Sequence, residues 1–441
     1  MRVLFGTDGI RARAGAYPLD AATMFALGQA LAHRVQGASV LLGMDTRESG
    51  AEIAGSLAAG IAQGGGTARF VGVIPTPGIA YLCRTTDAAA AISISASHNP
   101  FEDNGVKIFG HDGMKVPDSV EEQIEDELRA LRHDDVTVPA IDLTENLALI
   151  EQYERFLIEG VPPGALSGRR VVLDTGHGAA FRIAPEVFRR AGAEVVVLHD
   201  TPNGRNINAN AGALHPEHLA KVVVEQGAHY GVAFDGDADR AIFVDDAGKV
   251  RDGDEIIYLW AKSLVGRGAL RGNCVVTTVM SNFGFEKQLQ ADGIELCRAQ
   301  VGDKYVLEVM LERDAVLGGE QSGHIIDRST HTTGDGIHTA LVFGHILAQL
   351  HEPFSKLRTF DPMPQLLLNA RVSAKPPLES LPRYQAAHAA ALRELEGRGR
   401  ILVRYSGTEN LVRVMVEGED QTLITRIAEE LRGVLKEEID G

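Results

Sequence analysis

The chain has 441 residues, of which 44% are apolar, and a formal net charge of −17. This length exceeds one ordinary domain of about 100–200 residues and predicts three or four domains. The acidic balance, without a long basic run, argues against nucleic acid or an anionic membrane as a partner. No uncharged apolar run approaches the roughly 20 residues of a membrane span, and Asp8 and Arg11 interrupt any signal-peptide core. Three cysteines without metal-ligand spacing indicate reduced thiols in a cytoplasmic protein: Cys83, Cys274 and Cys297.

The first part of the chain alternates predicted helices and strands. After Asp20, an N-cap type of residue, apolar side chains recur at helical spacing, at Met24, Leu27, Leu31 and Val35. The elements that follow are a strand, a helix and two further strands, at 39–42, 48–63, 68–73 and 88–95. This alternation predicts a mainly parallel sheet covered by helices.

Two similar cycles follow a helical connector near 145–160. The second cycle contains strands and helices at 170–174, 180–192, 194–199, 215–227 and 230–235. The third contains them at 253–266, 274–280, 283–292, 294–299, 303–312, 315–318 and 335–350. Ligands usually bind beyond the carboxyl ends of strands in open parallel sheets, so we expect the residues after 235 at a binding edge.

The pattern changes near 352–382, where six prolines predict a linker and the entry to another fold. Short strands are predicted at 401–404 and 411–416. A terminal amphipathic helix is indicated by apolar residues at helical spacing, at Leu423, Ile427, Leu431 and Leu435.

One segment rich in turn-forming residues ends the predicted strand 88–95. It reads Ile92-Ser-Ile-Ser-Ala-Ser-His-Asn-Pro100 and is followed by Asp103-Asn-Gly-Val-Lys107. By itself such a segment is usually a loop whose side chains bond to their own backbone. A second motif far along the chain favours a functional interpretation of this segment.

That second motif is Asp235-Gly-Asp-Ala-Asp-Arg240, whose three carboxylates at alternate positions can point the same way from an extended loop. A calcium loop would need glycine and glutamate where the chain has Arg240 and Asp246, which excludes that interpretation. Three oxygen ligands suit Mg²⁺, which commonly shares carboxylates with a phosphate oxygen. We therefore predict one metal site in which a phosphorylated serine joins the aspartates: Ser97, Asp235, Asp237 and Asp239.

With these and further motifs the chain resembles the alpha-D-phosphohexomutase superfamily, and within it the bacterial members that act on glucosamine phosphates. Seven motifs stand in the family's order between residues 5 and 413: Phe5-Gly-Thr-Asp-Gly-Ile-Arg11, Ser95-Ala-Ser-His-Asn-Pro100, Asp235-Gly-Asp-Ala-Asp-Arg240, Val301-Gly-Asp-Lys-Tyr-Val306, Gly318-Gly-Glu-Gln-Ser-Gly-His324, Thr333-Gly-Asp-Gly336 and Arg404-Tyr-Ser-Gly-Thr-Glu-Asn-Leu-Val-Arg413.

The resemblance implies an α/β fold: three related α/β domains with mixed or parallel sheets, and a C-terminal α+β domain, around a central cleft. The expected domains are 1–145 with the phosphoserine loop, 146–245 with the metal-binding loop, 246–358 with the sugar-binding loop and 359–441 with the phosphate-binding loop.

The resemblance also implies roles for individual residues. The expected catalytic residues are Ser97 as phosphoryl donor and acceptor, Lys107 as general acid/base, Arg11 and Arg240 as stabilising cations, and His98 and His324 in supporting roles. The expected substrate-binding residues are Asp303, Lys304, Glu320, Ser322, Arg404, Ser406, Gly407, Thr408 and Arg413.

The implied activity is that of an isomerase that interconverts glucosamine 6-phosphate and glucosamine 1-phosphate, a step toward UDP-N-acetylglucosamine, through a phosphoserine enzyme and a 1,6-bisphosphate. The expected cofactors are one Mg²⁺ per chain and a hexose 1,6-bisphosphate activator, such as glucosamine 1,6-bisphosphate. The expected partner is a phosphosugar, without nucleic acid or membrane, and the expected state is a monomer or homodimer.

Two alternatives stay open: a phosphomannomutase/phosphoglucomutase, and a non-catalytic sugar-phosphate binding protein. A serine hydrolase fits less well, because no Gly-x-Ser-x-Gly elbow surrounds Ser97. The chain departs from the family's usual motifs at Ala12, Tyr405 and Asn410, where Gly, Pro and Pro are common. The first change is expected to restrict the backbone beside Arg11, and the others to loosen the phosphate loop.

Overall fold

A computed structural model describes residues 4–6, 8–133, 135–406 and 410–441. The chain forms two compact units. The larger contains residues 1–278 and 297–358, and the smaller contains 279–296 and 359–441. The four-domain boundaries expected from the sequence divide the chain more finely than this, and they stay a prediction.

The first sheet of the larger unit is mixed. Its strands are β1 (Phe5–Gly6), β2 (Gly9–Arg13), β3 (Ser39–Met44), β4 (Thr67–Val73), β5 (Ala90–Ile94) and β6 (Asp103–Gly110), in the order β1-β2-β6-β5-β3-β4. Strand β3 runs parallel to β4 and β5, whereas β6 is antiparallel to β5 and β2. The sheet's helices are α1 (Ala21–Arg34), α2 (Gly50–Gln63), α3 (Thr76–Thr85) and α4 (Asp118–Leu131).

Two sequence features explain how α1 forms and packs. The side chain of Asp20 accepts a hydrogen bond from the backbone N–H of Thr23, so the predicted N-cap is confirmed. Helices α1 and α2 approach closely through glycines. A Cβ on Gly28 would lie 2.3 Å from the Leu57 carbonyl oxygen, and one on Gly60 would lie 2.0 Å from that of Phe25. Any larger residue at either position would force the helices apart.

A second sheet follows helix α5 (Leu147–Glu159). Its strands are β7 (Arg170–Asp174), β8 (Glu194–Leu198), β9 (Tyr230–Phe234), β10 (Ala241–Asp245) and β11 (Val250–Arg251), in the order β11-β10-β9-β7-β8, with helices α6 (Ile183–Arg190) and α7 (Glu217–Glu225). Strands β8, β7 and β9 are parallel, and β10 returns antiparallel to β9. The aspartate loop 235–240 therefore joins β9 to β10, at the carboxyl end of a parallel strand as predicted.

A third sheet has the order β13-β12-β14-β15, with strands β12 (Cys274–Thr278), β13 (Glu295–Ala299), β14 (Leu317–Gly319) and β15 (Ile325–Asp327). The helices of this part of the chain are α8 (Gly253–Gly266), α9 (Phe283–Ala291), α10 (Asp303–Glu312) and α11 (Gly336–Leu350). The motif 318–324, which is expected to bind the sugar, connects β14 to β15, and these strands are antiparallel.

The smaller unit contains a three-stranded antiparallel sheet in the order β16-β18-β17, with strands β16 (Gln365–Arg371), β17 (Gly399–Tyr405) and β18 (Leu411–Gly418). Helices α12 (Pro382–Leu395) and α13 (Gln421–Asp440) belong to the same unit. The buried residues of α13 include Ile427, Leu431 and Leu435, which confirms the predicted terminal helix.

The predicted fold class is confirmed: α/β architecture with mixed sheets, followed by a small α+β portion. The prediction of a proline-rich linker across 352–382 is wrong in part, because β16 lies inside it, between Pro364 and Pro376. Helix α4 was not predicted from the sequence, because its apolar stripe is narrow among many charged residues. Within the described part of the chain, no helix is long and apolar enough to cross a membrane.

Candidate active site

Ser97 is the third residue after the end of strand β5, in a buried loop of the larger unit. Its side chain hydroxyl donates a 2.6 Å hydrogen bond to Asp235 Oδ2, and it lies 3.3 Å from His98 Nδ1. The backbone of Ser97 is in the left-handed region at φ 52°, a conformation that costs a non-glycine residue about 1–2 kcal/mol. The surrounding contacts therefore hold the serine in an orientation that its own backbone does not favour.

The three aspartates of the loop 235–240 converge as predicted, but through a turn rather than an extended loop. Ala238 takes a left-handed conformation at φ 55°. One ligand oxygen from each carboxylate lies within 4.8 Å of the others, and all three side chains are buried. Burial and the repulsion from Asp239 and Asp237 together raise the pKa of Asp235 well above its ordinary value.

These carboxylates fit a hard divalent cation. Their donor set consists of oxygens, the preference of Mg²⁺. Two of the oxygens, Asp237 Oδ1 and Asp239 Oδ1, are buried and accept no hydrogen bond from any described residue. Buried carboxylate oxygens that accept no hydrogen bond are costly, and a bound cation would satisfy them. Among the described residues, this is the only group of three such side chains with converging ligand atoms.

Lys107, on strand β6, provides a buried positive charge beside the aspartates. Its Nζ lies 2.9 Å from Asp237 Oδ2, 3.5 Å from Asp239 Oδ2 and 3.2 Å from Asp8 Oδ2. Burial disfavours the ammonium, but these three carboxylates outweigh it and raise the pKa of Lys107 well above its ordinary value. Lys107 is therefore protonated in this arrangement. Asp8 also pairs with Arg11, which brings that predicted cation to the same place.

A cleft of about 360 Å³ lies next to these groups and is lined by Asp8, Arg11, Asp239, Arg240, Asp303, Glu320 and His324, together with backbone near Gly9 and Gly302. His324 Nδ1 lies 3.6 Å from Asp239 Oδ2, and His324 Nε2 lies 3.7 Å from Asp303 Oδ2. The Arg240 backbone N–H donates to Asp235 Oδ1 over 3.2 Å. The cleft thus brings together the predicted cations Arg11 and Arg240, the carboxylates of Asp303 and Glu320, and part of the aspartate loop 235–240.

Two predicted substrate-binding residues lie differently. Lys304 forms an ion pair with Asp118 and lines a neighbouring cavity of about 520 Å³ instead of this cleft. Ser322 is exposed, and its hydroxyl donates to Glu320 Oε2 over 3.3 Å. Their roles stay predictions, and the arrangement favours Glu320 over Ser322 and Lys304 for direct contact with a ligand in the cleft.

The predicted phosphate loop belongs to the smaller unit. Arg404 on β17 and Arg413 on β18 are direct cross-strand partners, so two like charges stand side by side. Partial burial and the charge of Arg413 lower the pKa of Arg404. Arg413 Nε is buried and finds no acceptor among the described residues. Ser406 is buried and its N–H donates to the Leu411 carbonyl oxygen, whereas Gly407 and Thr408 lie outside the described residues.

The three motif departures leave the described backbone intact. Ala12 lies in β2, paired with Asn104, in a strand conformation open to any residue. The Asn410 carbonyl oxygen accepts a 3.0 Å hydrogen bond from the Val372 N–H, and Tyr405 ends β17. The expected restriction beside Arg11 therefore has no counterpart in the strand.

Sequence reasoning missed six residues that support the site. Asp8 was inside a quoted motif but was given no role, and it contacts Lys107, Arg11 and Lys115. The others are Asp45, Arg47, Thr76, Lys115 and Asn208. Thr76 Oγ1 donates 2.7 Å to Asp237 Oδ2, and Lys115 Nζ lies 2.7 Å from Asp303 Oδ2. The one usable signal was position, since Asp45 and Arg47 lie within five residues of the end of the predicted strand at 39–42.

Comparisons with known proteins agree with this architecture. Models of the phosphoglucomutase/phosphomannomutase family match the chain with alpha/beta/alpha domain I at residues 2–134, domain II at 152–248, domain III at 252–362 and the C-terminal domain at 367–434. The chain belongs to this family.

Individual relatives are similar over nearly the whole chain. A phosphoglucosamine mutase of Solibacter usitatus is 48% identical, with 99% of each chain covered. Among solved structures, a phosphoglucomutase/phosphomannomutase family protein of Burkholderia thailandensis has a TM-score of 0.80 at 22% identity, covering 99% of this chain and 98% of its own. An N-acetylphosphoglucosamine mutase of Aspergillus fumigatus, solved with GlcNAc-6P and magnesium, has a TM-score of 0.68 at 18% identity, covering 99% and 96%. These two structures are similar in fold.

Proposed function

We propose that the protein is a phosphohexomutase that interconverts glucosamine 6-phosphate and glucosamine 1-phosphate, with Ser97 carrying the phosphoryl group. The observation that carries the proposal is the contact of a buried serine hydroxyl with a buried aspartate triad, at 2.6 Å between Ser97 Oγ and Asp235 Oδ2. The name of the 48% identical relative supports the choice of glucosamine phosphates.

In the proposed reaction the bond between the Ser97 oxygen and phosphorus breaks as a sugar hydroxyl forms a new oxygen–phosphorus bond. The resulting 1,6-bisphosphate turns end for end and returns its other phosphate to Ser97. A divalent cation bound by Asp235, Asp237 and Asp239 supplies charge neutralisation at the transferring phosphoryl group. Arg11 and Arg240, which line the cleft, add positive charge around the same group.

Lys107 is the proposed proton carrier. Its raised pKa keeps it protonated, so it can give a proton to the Ser97 oxygen as the first transfer proceeds. It takes a proton back when Ser97 attacks the second phosphate. The proton of the sugar hydroxyl leaves to the solvent of the cleft in the first transfer and returns in the second, so the cycle balances. His98, at 3.3 Å from the serine oxygen, is proposed to orient it.

Recognition of the sugar is assigned to the acidic side of the cleft. A C2 ammonium would be attracted by Asp303 and Glu320, which both line it, and His324 lies between Asp303 and Asp239. Arg404, Ser406 and Arg413 are proposed to hold the phosphate that does not react. A hexose 1,6-bisphosphate is the proposed activator, the cytoplasm the proposed location, and a monomer or homodimer the proposed state.

The test is a panel of hexose 6-phosphates assayed with Mg²⁺ and a catalytic amount of 1,6-bisphosphate. We expect the highest kcat/KM for glucosamine 6-phosphate. Equal or higher kcat/KM for mannose or glucose 6-phosphate would assign the chain to the phosphomannomutase/phosphoglucomutase alternative. Binding of the phosphosugars without turnover of any of them would favour the non-catalytic alternative.

A further inference from the structure

The carbonyl groups of the serine loop are held by two side chains from distant parts of the larger unit. Arg47 Nη2 donates to the carbonyl oxygens of Ser97 and Asn99 over 3.1 and 2.6 Å. Asn208 Nδ2 donates to the same two oxygens over 2.9 and 3.1 Å. Arg47 follows strand β3 of the first sheet, whereas Asn208 follows strand β8 of the second. Side chains that follow strands of two different sheets thus donate hydrogen bonds to the same pair of carbonyl oxygens.

The N–H side of Ser97 is held as well. Its backbone N–H donates 2.9 Å to Ser95 Oγ, and the Ser95 hydroxyl in turn donates to Asp45. Asp45 also forms a buried ion pair with Arg47. Both ends of the residue are therefore bonded, which explains how a serine with φ 52° keeps a single orientation.

Asn208 stands where the serine loop meets the aspartate loop. A Cβ placed on Gly236 would lie 2.5 Å from the Ser97 carbonyl oxygen and 2.9 Å from Asn208 Nδ2, so backbone of the metal loop lies directly against this contact. The Asn208 N–H donates 2.8 Å to the Gly176 carbonyl oxygen, just after strand β7. Asn208 therefore links the serine loop, through its side-chain amide, to the sheet that precedes Asp235, through its backbone N–H.

We propose that Asn208 and Arg47 are positioning residues that set the distance from Ser97 Oγ to the aspartate triad. This inference rests on the proposed function, since it assigns these residues to the phosphoryl transfer of Ser97. Neither side chain lines the cleft of about 360 Å³, so both act through the serine loop instead of through the substrate. A displacement of about 1 Å of a reacting group can slow a reaction by about 100-fold.

The experiment measures how fast Ser97 takes up phosphate from glucose 1,6-bisphosphate, followed by intact mass, and steady-state kcat and KM. The variants are Asn208→Asp, which keeps the shape but removes the donor, and Arg47→Lys, which keeps the charge but loses the two-pronged geometry. The matched control is Arg205→Gln. Arg205 joins the same two segments through an exposed 2.7 Å ion pair with Glu48 without touching the serine loop.

We expect both variants to take up phosphate roughly 10- to 100-fold more slowly, with a proportionate fall in kcat and little change in KM. Arg205→Gln should keep the wild-type rate. Uptake at the wild-type rate in folded Asn208→Asp and Arg47→Lys would overturn the inference, as would losses of rate that only follow a lower Tm and a raised KM. If Asn208→Asp does not fold, Arg47→Lys decides. Failure of the wild-type protein to take up phosphate would instead reject the proposed function.

Discussion

Ser97 Oγ and Asp235 Oδ2 are joined by a 2.6 Å hydrogen bond across 138 positions of the chain. Both side chains are 1% exposed, and each stands at the end of a strand, β5 for the serine and β9 for the aspartate. The loops after the carboxyl ends of two strands from different sheets must therefore come together before the hydroxyl reaches the carboxylates.

Two replacements of Lys107 distinguish the electrostatic role of its side chain from its role in proton transfer. Lys107→Met should reduce kcat by about 10²–10⁴-fold, the usual contribution of a positioned acid or base. It should also destabilise the fold, because Asp8, Asp237 and Asp239 lose the buried ammonium that they share. Lys107→Arg, which keeps a charge but does not release a proton, should recover stability without recovering kcat. Wild-type turnover by the arginine variant would contradict the assigned role.

Removal of divalent cation should lower both activity and thermal stability. The three buried carboxylates repel one another, so a cation bound at a hundredfold excess over its Kd should stabilise the fold by about 2.7 kcal/mol. We expect Mg²⁺ to raise the Tm of the wild-type protein after chelation and to leave Asp237→Asn almost unchanged. Asp87→Asn, at an exposed carboxylate that pairs with Arg69, is the control and should respond like wild type. An equal rise in all three proteins would argue against the triad.

A buried histidine away from the triad should make stability depend on pH. The Nε2–H of His331 donates to the Pro77 carbonyl oxygen, and its Nδ1 accepts from the N–H groups of Thr332 and Thr333, which fixes the neutral ring. Burial lowers the pKa of His331 to about 3. The unfolded chain, with a pKa near the ordinary value of about 6.5, then binds the extra proton between these values.

The stability that His331 contributes is therefore complete above about pH 6.5 and is lost as the pH falls toward about 3, by about 2 kcal/mol between about pH 7 and pH 5. His331→Gln supplies a donor and an acceptor without titrating. Denaturant unfolding at both pH values should show a loss in the variant smaller by about that amount. An identical loss in both proteins would show that His331 is not the source.

The paired arginines of the smaller unit should contribute to phosphate binding. Arg413→Ala removes one charge-assisted donor, each typically worth about 1.5–3 kcal/mol, so the KM for the hexose phosphate should rise by at least about tenfold. Its kcat should change less. Arg371→Ala, at an exposed arginine on β16 of the same sheet, is the matched control. If kcat fell by a larger factor than KM rose, Arg413 would act in the chemical step and not in substrate binding.

Much of this arrangement could be predicted from sequence because its reactive groups sit in short motifs in or shortly after strands. Ser97, Lys107 and the three aspartates were predicted as one site, and the structure brings them together. Asn208 and Arg47 could not be predicted in this way. Their partners are backbone carbonyls, which any residue provides, so no pairing of residue types marks the contact.

Misses in the fold have similarly local causes. Strand β16 lies between prolines that made the whole stretch resemble a linker, although the prolines flank the strand and do not interrupt it. Helix α3 has Pro77 in its first turn, where proline is tolerated because its missing N–H is not needed there. The role of Lys304 in substrate binding stays a prediction from its motif, and no motif shows its ion pair with Asp118, the first residue of α4, 186 positions away.

The most direct measurement is to locate the phosphate after incubation of the protein with glucose 1,6-bisphosphate and Mg²⁺, by peptide mass spectrometry of wild type and Ser97→Ala. We predict a single phosphate on Ser97 in the wild-type protein, none in the variant, and a loss of turnover of about 10⁴-fold or more in the variant. A Ser97→Ala protein that still interconverts hexose phosphates at the wild-type rate, or a wild-type protein phosphorylated only at another residue, would contradict the account.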